Sequence, residues 1–173
     1  MPTSTTGAKY PGADNGGWIE DSGNISADDN ACYATNDGNP TITTTNYGFT
    51  FTGTVDSIDG IEVIVQGGSA TKRLDIDLSY DAGTNYTAEI QATIGTSSGS
   101  GGAMVNVTFG GSANTWGRTW TSTELNNANF ILRAAKGVVD GGVIDVDYIT
   151  VNVYYTYTAA STGGTLTTRS KFW

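Results

Sequence analysis

Three aspartates form the densest set of potential metal ligands in the sequence, with the spacing Asp75-x-Asp77-x-x-x-Asp81. Clustered carboxylates are the ligands that hard cations such as Ca²⁺ prefer, but an EF-hand loop requires its glycine earlier than Gly83. Apolar residues alternate with Asp75 and Asp77, so we expect both side chains on the solvent face of a strand and Asp81 at the start of a turn. The pattern favours structural roles and predicts no metal site and no cofactor, while the cation alternative stays open.

Side chains for catalysis are scarce in this sequence. The chain contains no histidine, which excludes Ser-His-Asp and Cys-His arrangements. A pair of carboxylates of the glycosidase type remains an alternative, because 17 acidic residues are present. No recognisable motif surrounds any of the four glutamates, which are Glu20, Glu62, Glu89 and Glu124. We therefore expect no catalytic residue, no enzymatic activity and no small-molecule substrate.

Five aromatic residues raise the alternative of a sugar-stacking platform in a carbohydrate-binding module. They are Trp18, Trp116, Trp120, Tyr86 and Tyr148. Aromatic side chains at strand spacing more often pack in a core or on a sheet. The two hypotheses differ in one observable feature, because a platform requires exposed rings on one flat face.

The last residues of the chain carry a different signal. Phe172 and Trp173 end a polar, Gly-containing tail, and leaving such rings in water costs about 2 kcal/mol or more each. One interpretation is that the tail is disordered. The functional interpretation assigns Arg169, Lys171, Phe172 and Trp173 to a partner-binding anchor, in which the rings enter a neighbouring subunit or another protein and the two cations meet an acidic rim.

The elements that must position these residues are strands. The chain is rich in Thr and contains 24 Gly, a composition typical of pleated strands joined by turns. Alternating apolar residues predict strands near residues 18–19, 30–35, 41–54, 57–65, 73–80, 86–94, 104–109, 130–134 and 143–158. Thr121 and Glu124 have the spacing of a helix capping box, which predicts one helical turn through residue 128.

The predicted fold is all-β, a single antiparallel β-sandwich of about eight strands, jelly-roll-like, with extended terminal arms. Its predicted parts are an N-terminal arm over residues 1–17, the sandwich domain over residues 18–158 and a C-terminal arm over residues 159–173. Residues 1–17 are small and polar, which indicates an extended arm or disorder.

The charge and the cysteine content exclude several classes of partner and site. The net charge is −9 and the isoelectric point is about 4.1, so binding to nucleic acid or to an anionic membrane is disfavoured. Cys32 is the only cysteine, which excludes an internal disulfide, and we expect it to fill the core. The first residues show no basic region followed by an apolar run, and no apolar stretch reaches membrane-spanning length, so we expect no signal peptide and a protein made in the cytoplasm.

Three segments resemble small structural proteins of tailed bacteriophages, namely jelly-roll-like capsid decoration (cement) proteins and tail-associated proteins. Residues 47–65 look like their Gly-Phe … Ile-x-Gly-Ile-x-Val-x-Val strand pair. Residues 116–130 are similar to a Trp-Thr … Asn-x-x-x-Phe run, and residues 146–155 to a terminal Val-Asp-x-Ile-x-Val-x-Val-Tyr-Tyr strand. The resemblance covers about residues 30–157 and leaves both arms unmatched.

The resemblance implies a non-enzymatic virion protein, most simply a capsid decoration protein that binds the outer capsid surface and stabilises the shell. It implies the major capsid protein as partner, a homotrimer, and synthesis in the host cytoplasm. A tail- or fibre-associated structural protein is the nearest alternative, and a carbohydrate-binding adhesion module is the second. The resemblance carries no binding residue over to this chain.

Overall fold

The computed structural model describes residues 1–15, 17–18, 24–29, 33–34, 41–68, 72–95, 104–137 and 143–160. The described residues form ten strands and one short 3₁₀ helix. In chain order they are β1 (Thr3–Thr5), β2 (Ala13–Asp14), the 3₁₀ helix (Asn24–Ser26), β3 (Tyr33–Ala34), β4 (Thr41–Thr45), β5 (Thr54–Gly68), β6 (Lys72–Ser79), β7 (Ile90–Ile94), β8 (Val105–Gly110), β9 (Ile131–Lys136) and β10 (Asp145–Thr158).

The strands form two five-stranded antiparallel sheets. The first sheet has the order β1-β10-β5-β8, with β3 also pairing with β10, and the second has the order β2-β4-β9-β6-β7. Strands adjacent in sequence, such as β4 and β5 or β9 and β10, therefore lie in different sheets. This arrangement confirms the predicted all-β, jelly-roll-like sandwich.

The core lies between the sheets, and the two longest strands supply much of it. Ile61, Val63 and Val65 of β5 alternate inward and are fully buried, opposite Val153, Val151 and Ile149 of β10. The second sheet contributes the apolar residues that alternate along its strands, among them Ile42, Leu74, Ile76, Leu78 and Leu132. Period-two patterns in the sequence predict these inward faces correctly.

The first fifteen residues, most of the predicted N-terminal arm, are extended and pair with both sheets. Thr3–Thr5 pairs with the end of β10, and Ala13–Asp14 pairs with β4. Between them, Lys9 and Val151 exchange two backbone hydrogen bonds of 2.8 and 2.9 Å. The segment is extended, but it supplies a short edge strand to each sheet, because the open edges of β10 and β4 offer unpaired backbone groups.

Local backbone geometry ends one predicted strand early. The strand expected over residues 41–54 stops at Thr45, because Asn46 and Gly48 take positive φ angles of 62°. Two other predictions also change. Regular pairing in β7 begins at Ile90 rather than near residue 86, and residues 121–129 form successive turns rather than a helical turn.

Several predictions fall outside the described residues. These are the core position of Cys32 and the anchor formed by Arg169, Lys171, Phe172 and Trp173. Within the described ranges, no helix has the length and hydropathy that a membrane span requires.

Candidate binding surfaces

The two aspartates of β6 are buried, which corrects their predicted solvent exposure. Asp75 is 5% exposed and Asp77 is 3% exposed. Arg73 lies 2.8 Å from the Asp75 carboxylate, and Arg133 of β9 is paired with Asp77 through Nε at 3.0 Å and through Nη2. Arg133 also lies over the ring of Tyr86, 4.0 Å from its centroid. The acids do point away from the core, but the arginines and Tyr86 cover them.

Burial and pairing act in opposite directions on Asp77. Burial raises the pKa of its carboxyl group, and the hydrogen bonds and charge of Arg133 offset this only in part. The hydrogen bond to Asp77 raises the pKa of the Arg133 guanidinium. Asp77 and Arg133 therefore form a structural ion pair, in which the arginine stabilises the charged form of the buried carboxylate.

Asp81 begins a turn, as predicted, and its carboxylate is fully engaged there. Asn85 donates to it from its backbone N at 2.7 Å and from Nδ2 at 2.6 Å, and Ser79 donates at 3.2 Å. The hydrogen bonds from Asn85 lower the pKa of Asp81. Within the described ranges, no group of three or more Cys, Asp or Glu side chains is placed to hold a metal ion.

Asp145 and Asp147 of β10 are also buried, at 7% and 0% exposure. The 3₁₀ helix contacts β10, and Ala34 of β3 pairs with Asp145. In addition, the pairing with β5 shifts register between Val146 and Tyr148, so that strict alternation fails there.

The three described tryptophans are core residues rather than a platform. Trp18, Trp116 and Trp120 are 3–4% exposed. Trp116 Nε1 donates to the Ile61 carbonyl at 2.9 Å, and Trp120 Nε1 donates to the Thr115 carbonyl at 2.8 Å. This confirms the interpretation of these rings as packing residues.

The other two members of the expected platform do not present free faces. The ring of Tyr86 is covered by Arg133, and Tyr148 is 8% exposed with Tyr10 packed edge-on against it. Tyr10 is 40% exposed and is the most exposed aromatic side chain in the described part of the chain.

Thr121 and Glu124 interact as part of a capping box without a helix. The backbone N of Thr121 donates to Glu124 Oε2 at 2.7 Å, and Arg118 binds Oε1 at 2.8 Å. Partial burial raises the pKa of Glu124, but the bonds from Arg118 and Thr121 outweigh it and hold the pKa below its usual value. Asn126 ends the segment, because its Oδ1 accepts from the backbone N of Ala128 and of Asn129.

Among the described residues, two surface depressions are candidate binding sites, and the sequence patterns indicate neither. The first, the hydroxyl pocket, has a volume of about 400 Å³. It is lined by Thr3, Ser4, Thr5, Asp59, Ser112 and Tyr154. Ser57 and Thr156 donate to opposite oxygens of Asp59 at 2.7 and 2.8 Å, which fixes the carboxylate. Tyr154 OH donates to Glu62 at 3.3 Å.

The second depression, the aromatic groove, has a volume of about 370 Å³. It is lined by Gly48, Phe49, Thr50, Phe51, Ser122, Leu125, Asn126 and Asn127. Phe49 is continuous with the core, because it stacks on Tyr47 and meets Phe130 edge-on, with centroids 5.6 and 5.2 Å apart. Asn127 joins the two walls by accepting a 2.9 Å hydrogen bond from the backbone N of Gly48. Both depressions combine segments far apart in sequence, so only the fold reveals them.

No protein-family model matches this chain, and no curated protein matches it. Its structure is similar at low level to three carbohydrate-binding structures. The first is the CBM22-1–GH10 portion of xylanase 10B from Clostridium thermocellum, complexed with xylohexaose, with 12% identity, a TM-score of 0.37, and coverage of 90% of this chain and 29% of that chain.

The other two structures are single modules of similar size. The family 32 module of NanJ from C. perfringens, in complex with galactose, has 15% identity, a TM-score of 0.37 and coverage of 87% and 92%. The BiXyn10A CBM1 module has 14% identity, a TM-score of 0.36 and coverage of 87% and 95%. Similarity at this level does not assign a ligand to this chain.

Proposed function

We propose that this protein is a non-enzymatic structural protein of a virion, a capsid decoration protein that binds the outer capsid surface and stabilises the shell. One observation carries the proposal: the three segments that resemble tailed-phage structural proteins form a single contact network. Trp116 of the second segment bonds to Ile61 of the first, and Ile61 pairs with Val153 of the third. Phe130 of the second segment packs on Phe49 of the first.

Because of these contacts, the three segments that carry the resemblance form one packed unit. Isolated β-rich motifs recur by chance, whereas three motifs in the same order that also contact one another are a more specific combination. The motifs supply the scaffold, so attachment belongs to surfaces that they leave free. These surfaces are the loops, the sheet edges and the terminal arm.

A decoration protein gains affinity through several weak contacts that act together. In a homotrimer on a three-fold axis, three copies present the same surface to three capsid subunits. The acidic body, residues 1–158 with a net charge of −11, suits a protein partner and is unsuited to nucleic acid. The major capsid protein is the partner that this proposal names.

Particles stripped of the protein provide the test of capsid binding. Purified protein should bind them at saturable copy number and raise the temperature at which the shells rupture, measured by release of a DNA-binding dye. Binding to tails alone would favour the tail-associated alternative and overturn the capsid assignment.

The anchor assigned to the C-terminal arm is tested by deleting residues 160–173. The deletion should weaken capsid binding, because each arm is proposed to contact a neighbouring protein on the shell. Unchanged capsid binding would rule out the anchor while leaving the capsid assignment in place.

Carbohydrate binding is the second candidate function, and the hydroxyl pocket favours it. Saccharides are recognised by carboxylates and hydroxyls that bond to their OH groups, combined with an aromatic side chain. Asp59, Tyr154 and the hydroxyls of Thr3 and Thr5 supply these groups together. Each oxygen of the Asp59 carboxylate accepts one described hydrogen bond and retains a further lone pair.

A glycan array followed by calorimetry on the hits tests this candidate. Binding that is lost in Asp59→Asn and retained in Asp28→Asn, an exposed control outside the pocket, would support it. Glycan binding that survives Asp59→Asn, or no glycan binding at all, would count against the pocket.

A further inference from the structure

The aromatic groove lies close to the point where β10 ends. Thr158, the last residue of β10, pairs with Thr54, and its carbonyl lies against Gly53. Phe51 of the groove packs edge-on against Tyr155, with centroids 5.0 Å apart, and the backbone N of Thr52 donates to Tyr155 OH at 2.9 Å. The chain therefore leaves the sandwich within a few residues of one wall of the groove.

The lining of the groove suits an aromatic occupant. Phe49 and Phe51 form one wall and are only half-buried, while the buried Leu125 forms part of the other wall. Aromatic rings prefer edge-to-face and offset-stacked neighbours, which the exposed parts of Phe49 and Phe51 offer. The volume of about 370 Å³ falls within the range of about 300–1,000 Å³ that is typical of ligand pockets.

The sequence beyond β10 supplies such an occupant. The fifteen residues 159–173 span up to about 50 Å when extended, which is ample for returning to a groove beside their starting point. They end in Phe172 and Trp173. They also carry Arg169 and Lys171 and no acid, so the chain's net charge of −9 leaves −11 on residues 1–158. The charges of tail and body are complementary.

We propose that, in the free protein, the Phe172–Trp173 pair docks in the aromatic groove of its own chain. A tether of this length gives an effective concentration in the millimolar range, which favours docking within one chain over docking between dilute copies. The inference rests on the arm anchor of the proposed function and specifies where that anchor is held before a partner is met. It is tested without capsids, so a failure of capsid binding does not affect it.

Tryptophan fluorescence reports directly on this docking. The chain has four tryptophans, and Trp18, Trp116 and Trp120 are 3–4% exposed, so quenching by acrylamide measures the exposure of Trp173. In the wild type, quenching should be nearly as low as in Trp173→Phe. Thr50→Lys places a cation in the groove beside the basic tail and should raise quenching several-fold, but only when Trp173 is present.

Thr108→Lys is the matched control, because Thr108 is an exposed threonine on β8 outside the groove. It should leave the quenching unchanged. Strong quenching of Trp173 in the wild type would overturn the proposal, as would equal effects of Thr50→Lys and Thr108→Lys.

Photo-crosslinking locates the docked residue independently of any groove substitution. A benzoylphenylalanine in place of Phe172 should give adducts with residues 48–51 or 122–127 in the monomer band on denaturing gels. Adducts elsewhere in the monomer would overturn the assignment to this groove. Adducts found only between two copies, with protection of Trp173 that increases with protein concentration, would overturn docking within one chain.

Discussion

Trp116 donates a hydrogen bond from its indole nitrogen to the carbonyl oxygen of Ile61, over 2.9 Å and 55 positions in the sequence. The same carbonyl accepts from the backbone N of Gly111 at 3.0 Å. Trp116 adopts a positive φ of 57°, which is uncommon for a bulky side chain and requires compensation by its surroundings. The buried bond and the packing of the ring provide that compensation.

Trp116→Phe should therefore lower the free energy of unfolding by about 2–3 kcal/mol, since it removes one buried hydrogen bond and leaves a cavity. Urea titration followed by circular dichroism measures the change. Tyr10→Phe, at an exposed ring, should change stability by less than about 0.5 kcal/mol. Equal effects of the two substitutions would show that the Trp116–Ile61 contact contributes little.

A substitution at Gly110 tests how closely the backbone packs against the same Ile61 carbonyl. A Cβ at this position would overlap the Ile61 carbonyl oxygen and come within 2.7 Å of Trp116 Nε1. Gly48 has a similar φ, 62° against 73°, but a Cβ there meets nothing within 4 Å. Gly48→Ala should cost about 1–2 kcal/mol from backbone strain alone, and Gly110→Ala should cost clearly more. Thermal unfolding of the two variants measures the difference, and equal melting temperatures would contradict the expected overlap.

Arg133→Met isolates the buried carboxylate of Asp77. We expect a loss of about 2 kcal/mol at pH 7, below the roughly 3–5 kcal/mol for a fully buried pair, because Arg133 is 36% exposed. Burial already raises the pKa of Asp77, and removing the cation raises it further. An acid whose folded pKa exceeds its unfolded pKa loses stability as the pH rises between the two values.

The stability of the Arg133→Met variant should consequently recover, relative to the wild type, as the pH is lowered from 7 toward the ordinary Asp pKa of 3.8. Lys72→Met serves as the control, since Lys72 takes part in none of the ion pairs among the described residues. A deficit in Arg133→Met that does not depend on pH would show that Asp77 keeps its charge without Arg133.

The burial of Asp77 also marks what sequence patterns predict well and what they miss. Alternation along residues 73–80 correctly assigns Leu74, Ile76 and Leu78 to the core and directs the acids to the opposite face. It fails on exposure, because Arg133, which covers Asp77, comes from β9, and the register between β6 and β9 is absent from any local pattern.

The same limit applies to the candidate sites. The hydroxyl pocket combines Thr3–Thr5 with Asp59 and Tyr154, and no motif links residues so far apart. The residue type of Trp116 predicts a packing residue, but its positive φ and its bond to Ile61 depend on tertiary contacts. The spacing of Thr121 and Glu124 correctly predicts their interaction. It does not predict that the helix is absent, because a single helical turn is not stable by itself.

Asp81→Asn tests a carboxylate that stabilises the turn between β6 and β7. The hydrogen bonds from Asn85 hold the pKa of Asp81 below its ordinary value of 3.8. An acid with a lowered folded pKa contributes stability above its unfolded pKa and loses that contribution as the pH falls through the folded pKa. The variant should be less stable than the wild type at pH 6.

The difference between Asp81→Asn and the wild type should diminish as the pH is lowered below 3.8 toward the folded pKa. Urea unfolding at a series of pH values measures it, with Asp28→Asn as an exposed control. A stability difference that stays constant across this range would assign the effect to the side-chain shape rather than to the charge.

The position of β10 between β1 and β5 has a consequence for biosynthesis. Thr3 pairs with Thr156, so one edge of the first sheet joins two residues far apart in sequence, of which the first leaves the ribosome long before the second. Strand β5 is likewise synthesised well before β10, so it cannot form this pairing until β10 has been made. Pairings of such large sequence separation form slowly and expose unpaired strand edges in the interval. We expect the nascent chain to remain sensitive to protease until residues 145–158 have emerged, and to become resistant in one step once they are available.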